Sequence, residues 1–177
     1  MTPPSTTSES APSRLAQALA ERSDAQRQPE PQAPTHQLVL FRLTGKRFAF
    51  SAENVREILA GDEPVYFVPG VAESVEGVLH LRGHIESVIA LNALLGLESD
   101  AATGQILMVE AAGIRTGVRI GQLDDVCDIA EEALITPPET LNPLLTPYVS
   151  ALIHRPDEAI VVLNAEALLT AFQTGRG

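Results

Sequence analysis

The sequence predicts a mainly β fold made of two similar small units. Three observations predict it. Short runs rich in Val, Ile, Leu and Phe recur along the chain, separated by turns that contain Gly or Pro. In residues 77–92, two apolar runs flank the single turn Arg82-Gly83-His84, the pattern of a β-hairpin presenting one fixed charge. The run Val88-Ile89-Ala90-Leu91-Asn92-Ala93 is echoed 72 residues later by Ile160-Val161-Val162-Leu163-Asn164-Ala165. Each copy follows a strand and a turn containing Arg (Arg82, Arg155), and each precedes a Leu-Leu pair (Leu94-Leu95, Leu168-Leu169). The shared order predicts two β-units of about 65–75 residues. Many short strands with Gly and Pro turns favour a sandwich or barrel, and small barrels remove exposed edges.

Composition narrows the class. Hydrophobic residues make up 45% of the 177-residue chain, enough for a core, but aromatics are 4% and Trp is absent. The core must therefore come from Val, Leu, Ile and Ala. Net charge is −11. Residues 1–35 contribute three Arg against Glu9, Glu21, Asp24 and Glu30, so −10 falls on the rest. Such a surface repels phosphate, which argues against nucleic-acid partners and anionic membranes. The single Cys127 excludes an internal disulfide and fits a reducing compartment. No apolar run reaches the roughly 18 residues of a membrane helix, and no secretory signal pattern opens the chain. A cytoplasmic protein with no membrane insertion is expected.

The elements follow in order. Residues 1–35, with six of the 13 prolines, read as a disordered Pro/Ser/Ala-rich tail. A short helix over 14–22 is the alternative there, and would be marginal alone. Leu38 to Leu43 reads as a strand buried on both faces, Thr44-Gly45-Lys46 as a turn, and Phe48 to Phe50 as the returning strand. Ser51 then resembles a helix N-cap, with Val55, Ile58 and Leu59 on one helical face and Gly61 as the stop. A short strand is expected at 65–68, the hairpin at 77–92, and a short helix at 92–95. Strands follow at 105–110 and 114–120, an apolar-periodic segment at 123–130, and a Pro-rich loop at 131–147. Strands at 149–154 and 159–163 lead to a final helix over 164–172. Asn92 and Asn164 both sit where strand gives way to helix, an N-cap position.

Each candidate site residue also has a purely structural role open to it. The fork of donors on Arg82 suits a carboxylate. That carboxylate is either a partner's or an internal one, for example Glu57. Glu57 itself reads as a solvated helix position or an interface residue. His80 and His84 have metal-binding spacing only if they share a helix; here they straddle a turn, without further ligands. His36 and His154 are isolated. Asp124, Asp125, Asp128, Glu131 and Glu132 read as a solvated or partner-facing acidic edge, lacking a calcium-loop pattern. Cys127, among apolar neighbours, reads as a small buried hydrophobe. No nucleophile turn, phosphate cradle or metal set is recognisable, so neither catalysis nor a cofactor is expected.

Several segments resemble one family. Leu38-Val39-Leu40-Phe41-Arg42-Leu43 with Arg47-Phe48-Ala49-Phe50 is similar to the opening hairpin of CheW-like domains. Val55-Arg56-Glu57-Ile58-Leu59 resembles the family's V-x-E-I segment, and Val68-Pro69-Gly70 its L-P segment. Gly77-Val78-Leu79-His80-Leu81-Arg82-Gly83 resembles its G-x-x-N-L-R-G motif. Val118-Arg119-Ile120 with Leu123-Asp124-Asp125-Val126 is similar to its G-x-x-V-D-x-V stretch. The order and spacing of these pieces, over about 36–172, are more specific than any one of them.

The resemblance implies two linked five-stranded SH3-like β-barrels, roughly 36–100 and 101–172, with elements exchanged between them as an open option. It implies a non-catalytic, cytoplasmic scaffold coupling methyl-accepting chemoreceptors to a CheA-type histidine kinase. In that family one barrel pairs with the kinase, while the other barrel and the inter-barrel groove meet the receptor. Glu57, Gly77 and Arg82 match coupling positions, and His84 adjoins them. After the Arg-Gly turn the family pattern x-V-x-P-V-x-D-L-R is altered: Ile85, Ser87, Ala90 and Asn92 stand at the Val, Pro, Asp and second Arg positions, and His80 replaces Asn. These departures leave a second function class open. That class is a divergent regulatory or decoy domain binding one partner, in twitching, gliding or another output.

Overall fold

A computed structural model describes residues 34–98 and 104–175; the expectations for the tail up to Ala33 fall outside it. Three tight hairpins share one turn type. The first joins β1 (Thr35–Leu43) to β2 (Lys46–Ser51), the second β4 (Val75–Leu81) to β5 (His84–Ala90), and the third β6 (Ile106–Ala111) to β7 (Ile114–Arg119). Each turn has two residues, both with positive φ: Thr44-Gly45 (50°, 76°), Arg82-Gly83 (49°, 87°) and Ala112-Gly113 (51°, 75°). This is the backbone signature of a type I′ turn, whose twist matches that of the strands it joins.

The remaining strands are β3 (Val55–Leu59), β8 (Gln122–Ala130), β9 (Val149–His154) and β10 (Ala159–Leu163). Two helices complete the fold, α1 (Leu91–Leu94) and α2 (Ala165–Gln173). One five-stranded sheet runs β8-β1-β2-β10-β9 and the other β3-β6-β7-β5-β4. In each, three of the four strand pairings are antiparallel and one is parallel, β2 with β10 and β7 with β5.

The mainly β architecture of two five-stranded SH3-like units agrees with the sequence reading, with three corrections to individual elements. Val55–Leu59 is a strand following a 3-10 turn (Ala52–Asn54), not a helix, and Ser51 makes no side-chain cap. Its burial alternates with period two, ending on buried Leu59, and it pairs with β6. Residues 65–68 form no strand beyond a single bridge, Tyr66 to Val78. Asn92 lies inside α1, whose N-cap is Ala90; the cap role is real only at Asn164, which accepts from the Ala167 amide at 3.0 Å. The expected pair of five-stranded SH3-like units is present, and among the described residues no ladder joins the end strands of either sheet. The outer edges of β4 and β9 are instead covered by loop bridges, Tyr66 on Val78 and Ile135 on Leu152.

The internal repeat also crosses between sheets. Hairpin β1–β2 joins β8, β9 and β10 from the far end of the chain, and β3 to β7 form the other sheet. Neither sheet is confined to 36–100 or to 101–172. The echoed segments occupy matching places: β5 leads into α1 beside β7, and β10 leads into α2 beside β2.

Burial explains why the inner strands lack a polar face. Val39, Phe41, Phe48 and Phe50 of one sheet meet Ile89, Leu107, Val109 and Val118 of the other in a shared core, with Leu168 and Leu169 of α2. The opposite faces have smaller cores, Leu38, Leu40, Ile153 and Ile160 in one sheet and Leu79, Val88, Ile106 and Met108 in the other. Aromatics are few but central, against the expectation of a core of Val, Leu, Ile and Ala alone: Phe41 stacks on Phe48 and Phe50, with centroids 6.1 and 5.5 Å apart.

Candidate partner-binding site

The Arg82-Gly83 corner projects from the β4–β5 hairpin. Arg82 Nη2 donates to Glu57 Oε1 at 2.7 Å. Glu57 lies on β3 and Arg82 on the corner at β4, so the pair spans the open seam between the two end strands of this sheet. The Arg82 side chain is 75% exposed and that of Glu57 24%. An ion pair this exposed contributes about 0–1 kcal/mol, so it orients more than it stabilises. One bond to Glu57 also leaves most of the guanidinium's five N–H donors facing outward. The two sequence readings of Arg82 are thus compatible: the guanidinium pairs with Glu57 and keeps donors for a second carboxylate.

His84 opens β5 opposite Leu81, and is exposed. Ile85 beside it is 73% exposed. His80 is exposed opposite Ile85. Among the described residues no group of three or more His, Cys, Asp or Glu is arranged to hold a metal.

Gly77 is buried on β4. A Cβ there would run into the Tyr66 carbonyl oxygen and lie 3.0 Å from Val65 Cγ1. The bare backbone lets Tyr66 seat on β4, donating to the Val78 carbonyl at 2.7 Å and accepting from the Val78 amide at 2.9 Å.

The altered strand after the corner is internally satisfied. The Ser87 and Thr116 hydroxyls hydrogen-bond each other, and Thr116 Oγ1 also donates to the Ser87 carbonyl at 3.0 Å. Ala90 donates its amide to the Ser74 carbonyl at 2.8 Å.

Two polar clusters escaped the sequence reading. Arg119, in an apolar strand, is buried; its Nε donates to Glu76 at 2.9 Å and its Nη1 to the Gly104 and Gly61 carbonyls at 2.7 and 3.3 Å. Arg42 and Arg47 share Asp124, at 3.2 and 2.9 Å, and both approach Glu158. Asp124 therefore belongs to an ion-pair network and not to a free acidic edge. No local pattern announces either cluster, because the partners are at least 43 residues apart for the Arg119–Glu76 pair and farther for the other. Cys127 packs half-buried against the small core of its sheet; burial, with Asp125 and Asp128 nearby, raises its thiol pKa against the lowering effect of Arg155.

With this geometry in place, a family model described as CheW-like domain matches residues 37–173. The chain belongs to the CheW-like family. It is 25% identical over 134 residues to the chemotaxis protein CheW of Bacillus subtilis (strain 168), covering 75% of this chain and 85% of that one. It is 25% identical over 136 residues to a probable chemotaxis protein CheW of Rhizobium etli, covering 76% and 87%. The crystal structure of scaffolding protein TtCheW from Thermoanaerobacter tengcongensis superposes with a TM-score of 0.69 at 24% identity, over 76% of this chain and 92% of that one. That likeness carries the two-domain SH3-like fold of the CheW-like family onto this chain.

Proposed function

We propose that this CheW-like chain is a non-catalytic, cytoplasmic adaptor that couples methyl-accepting chemoreceptors to a CheA-type histidine kinase. The observation that carries the reading is the family match across nearly all of the described chain, coinciding with an Arg82–Glu57 corner held in one orientation and open to solvent. In this reading Arg82 and His84 face a partner, Glu57 aims the guanidinium, and Gly77 seats the neighbouring loop. Contacts on small β-sheets are individually modest, and an array strengthens them by multivalency. No described helix is long and apolar enough to cross a membrane, so attachment to receptors runs through protein contacts in this reading.

The test is reconstitution of the chain with its cognate receptor and kinase. Receptor-dependent kinase activity should require the chain, and Arg82→Ala should lower it at least tenfold in apparent affinity. Unchanged kinase activity with or without the chain would overturn the reading.

A further inference from the structure

The loop of residues 60–74 joins β3 to β4 and carries the two most exposed aromatic side chains side by side. Tyr66 is 60% exposed and Phe67 76%. The other five aromatics of the chain are buried or half-buried. Val71 of the same loop is also exposed.

This loop is not loose. The Arg119 guanidinium holds the Gly61 carbonyl at its start, and the Ser74 carbonyl accepts from Ala90 at its end. Tyr66 is bridged to Val78 through the space left by Gly77, and Val65 packs into the small core beneath. The backbone is fixed at both ends and in the middle, while the two rings face water. Pre-ordering of this kind removes part of the entropy that binding otherwise loses. Aromatic anchors are also the side chains that most often dominate a protein interface.

The charges around the rings say what covers them. Asp62, Glu63 and Glu73 are exposed in this loop, and residues 60–74 contain no Lys or Arg. A second copy of this chain is a poor fit. It carries a net charge of −11, so two copies repel, and Arg42, Arg47, Arg56, Arg115 and Arg119 are engaged in internal ion pairs. We propose that Tyr66 and Phe67 form the apolar anchor of a contact with a different protein, one that presents an apolar groove edged by Lys and Arg. The inference rests on the adaptor reading and adds the Tyr66–Phe67 loop to it.

The experiment titrates the purified chain against its cognate histidine kinase and, separately, against its receptor signalling fragment, at low and moderate salt. The variants are Phe67→Ser and the double change Asp62→Lys/Glu63→Lys. All substituted side chains are exposed, so melting temperatures should match the wild type, and melting curves check this. One of the two partners should bind Phe67→Ser at least tenfold more weakly. The charge-reversed variant should weaken the same partner, mainly at low salt, where exposed charges are least screened. Binding of both partners within twofold of wild type by both variants would overturn the proposal. So would a wild-type homodimer, seen by sedimentation, that Phe67→Ser abolishes. If the wild type binds neither partner, the adaptor reading falls and this occupant falls with it. If the wild type binds and only the loop variants are neutral, the loop proposal alone falls.

Discussion

Replacing Gly77 with Ala places a methyl group where the Tyr66 carbonyl sits. The glycine also has φ of 156°, a conformation that residues with side chains rarely adopt. Two responses are open to the protein. The 60–74 loop stays seated and the strain is absorbed, which for an overpacked site costs about 1–3 kcal/mol. Alternatively the loop lifts, breaking the two Tyr66–Val78 hydrogen bonds at about 0.5–1.5 kcal/mol each, or about 1–3 kcal/mol together. The protein takes the cheaper route, so the expected loss is about 1–3 kcal/mol. Urea denaturation followed by circular dichroism measures it. Hydrogen exchange at the Tyr66 and Val78 amides separates the two routes: both exchange faster if the loop lifts. A loss under about 0.5 kcal/mol, the range of an ordinary surface change, together with unchanged exchange, would refute the claim that this position must lack a side chain.

Other outcomes follow from the same contacts. Glu57→Gln should change stability by less than about 1 kcal/mol while lowering coupling in the receptor–kinase assay, because the pair is exposed and orienting. Arg119→Met should destabilise by about 3–5 kcal/mol in urea, since it strands Glu76 and two loop carbonyls in a largely buried setting. Asn164→Ala should cost about 1 kcal/mol through loss of the α2 cap, with no effect on partner binding. Cys127 should alkylate more slowly than a free thiol at pH 8, since burial raises its pKa. A raised thiol pKa gives stability that is present below the unfolded-state value and lost as pH rises through the folded one. The Cys127→Ala variant should therefore lose less stability than wild type on alkaline titration.

What the sequence reveals depends on how local the cause is. The Arg82-Gly83 and Thr44-Gly45 corners are readable because a two-residue turn with both φ values positive leaves a signature of its own. The double-faced burial of β1 is readable from its unbroken apolar run. Val55–Leu59 is misread because Val55, Ile58 and Leu59 have helical spacing, yet five residues also fit a strand. Its pairing with β6, about 50 residues away, decides the matter. The echo between β5 and β10 shows that a unit repeats, but not which sheet each hairpin joins, since that is settled by packing in the shared core. At the site, Arg82 is legible as a carboxylate-binding corner and Glu57 as one candidate carboxylate; that they pair is settled by the fold, which makes β3 and β4 the end strands of one sheet. Tyr66 and Phe67 are not legible, because their exposure depends on a bridge that only the fold creates.

The most direct test of the adaptor account is receptor-controlled kinase activity in a reconstituted mixture of receptor, kinase and this chain. The account predicts that activity responds to receptor ligand only when the chain is present, and that Arg82→Ala shifts the concentration needed by tenfold or more without changing the melting temperature. A kinase that responds equally well without the chain, or a wild-type chain that binds neither partner, would contradict it.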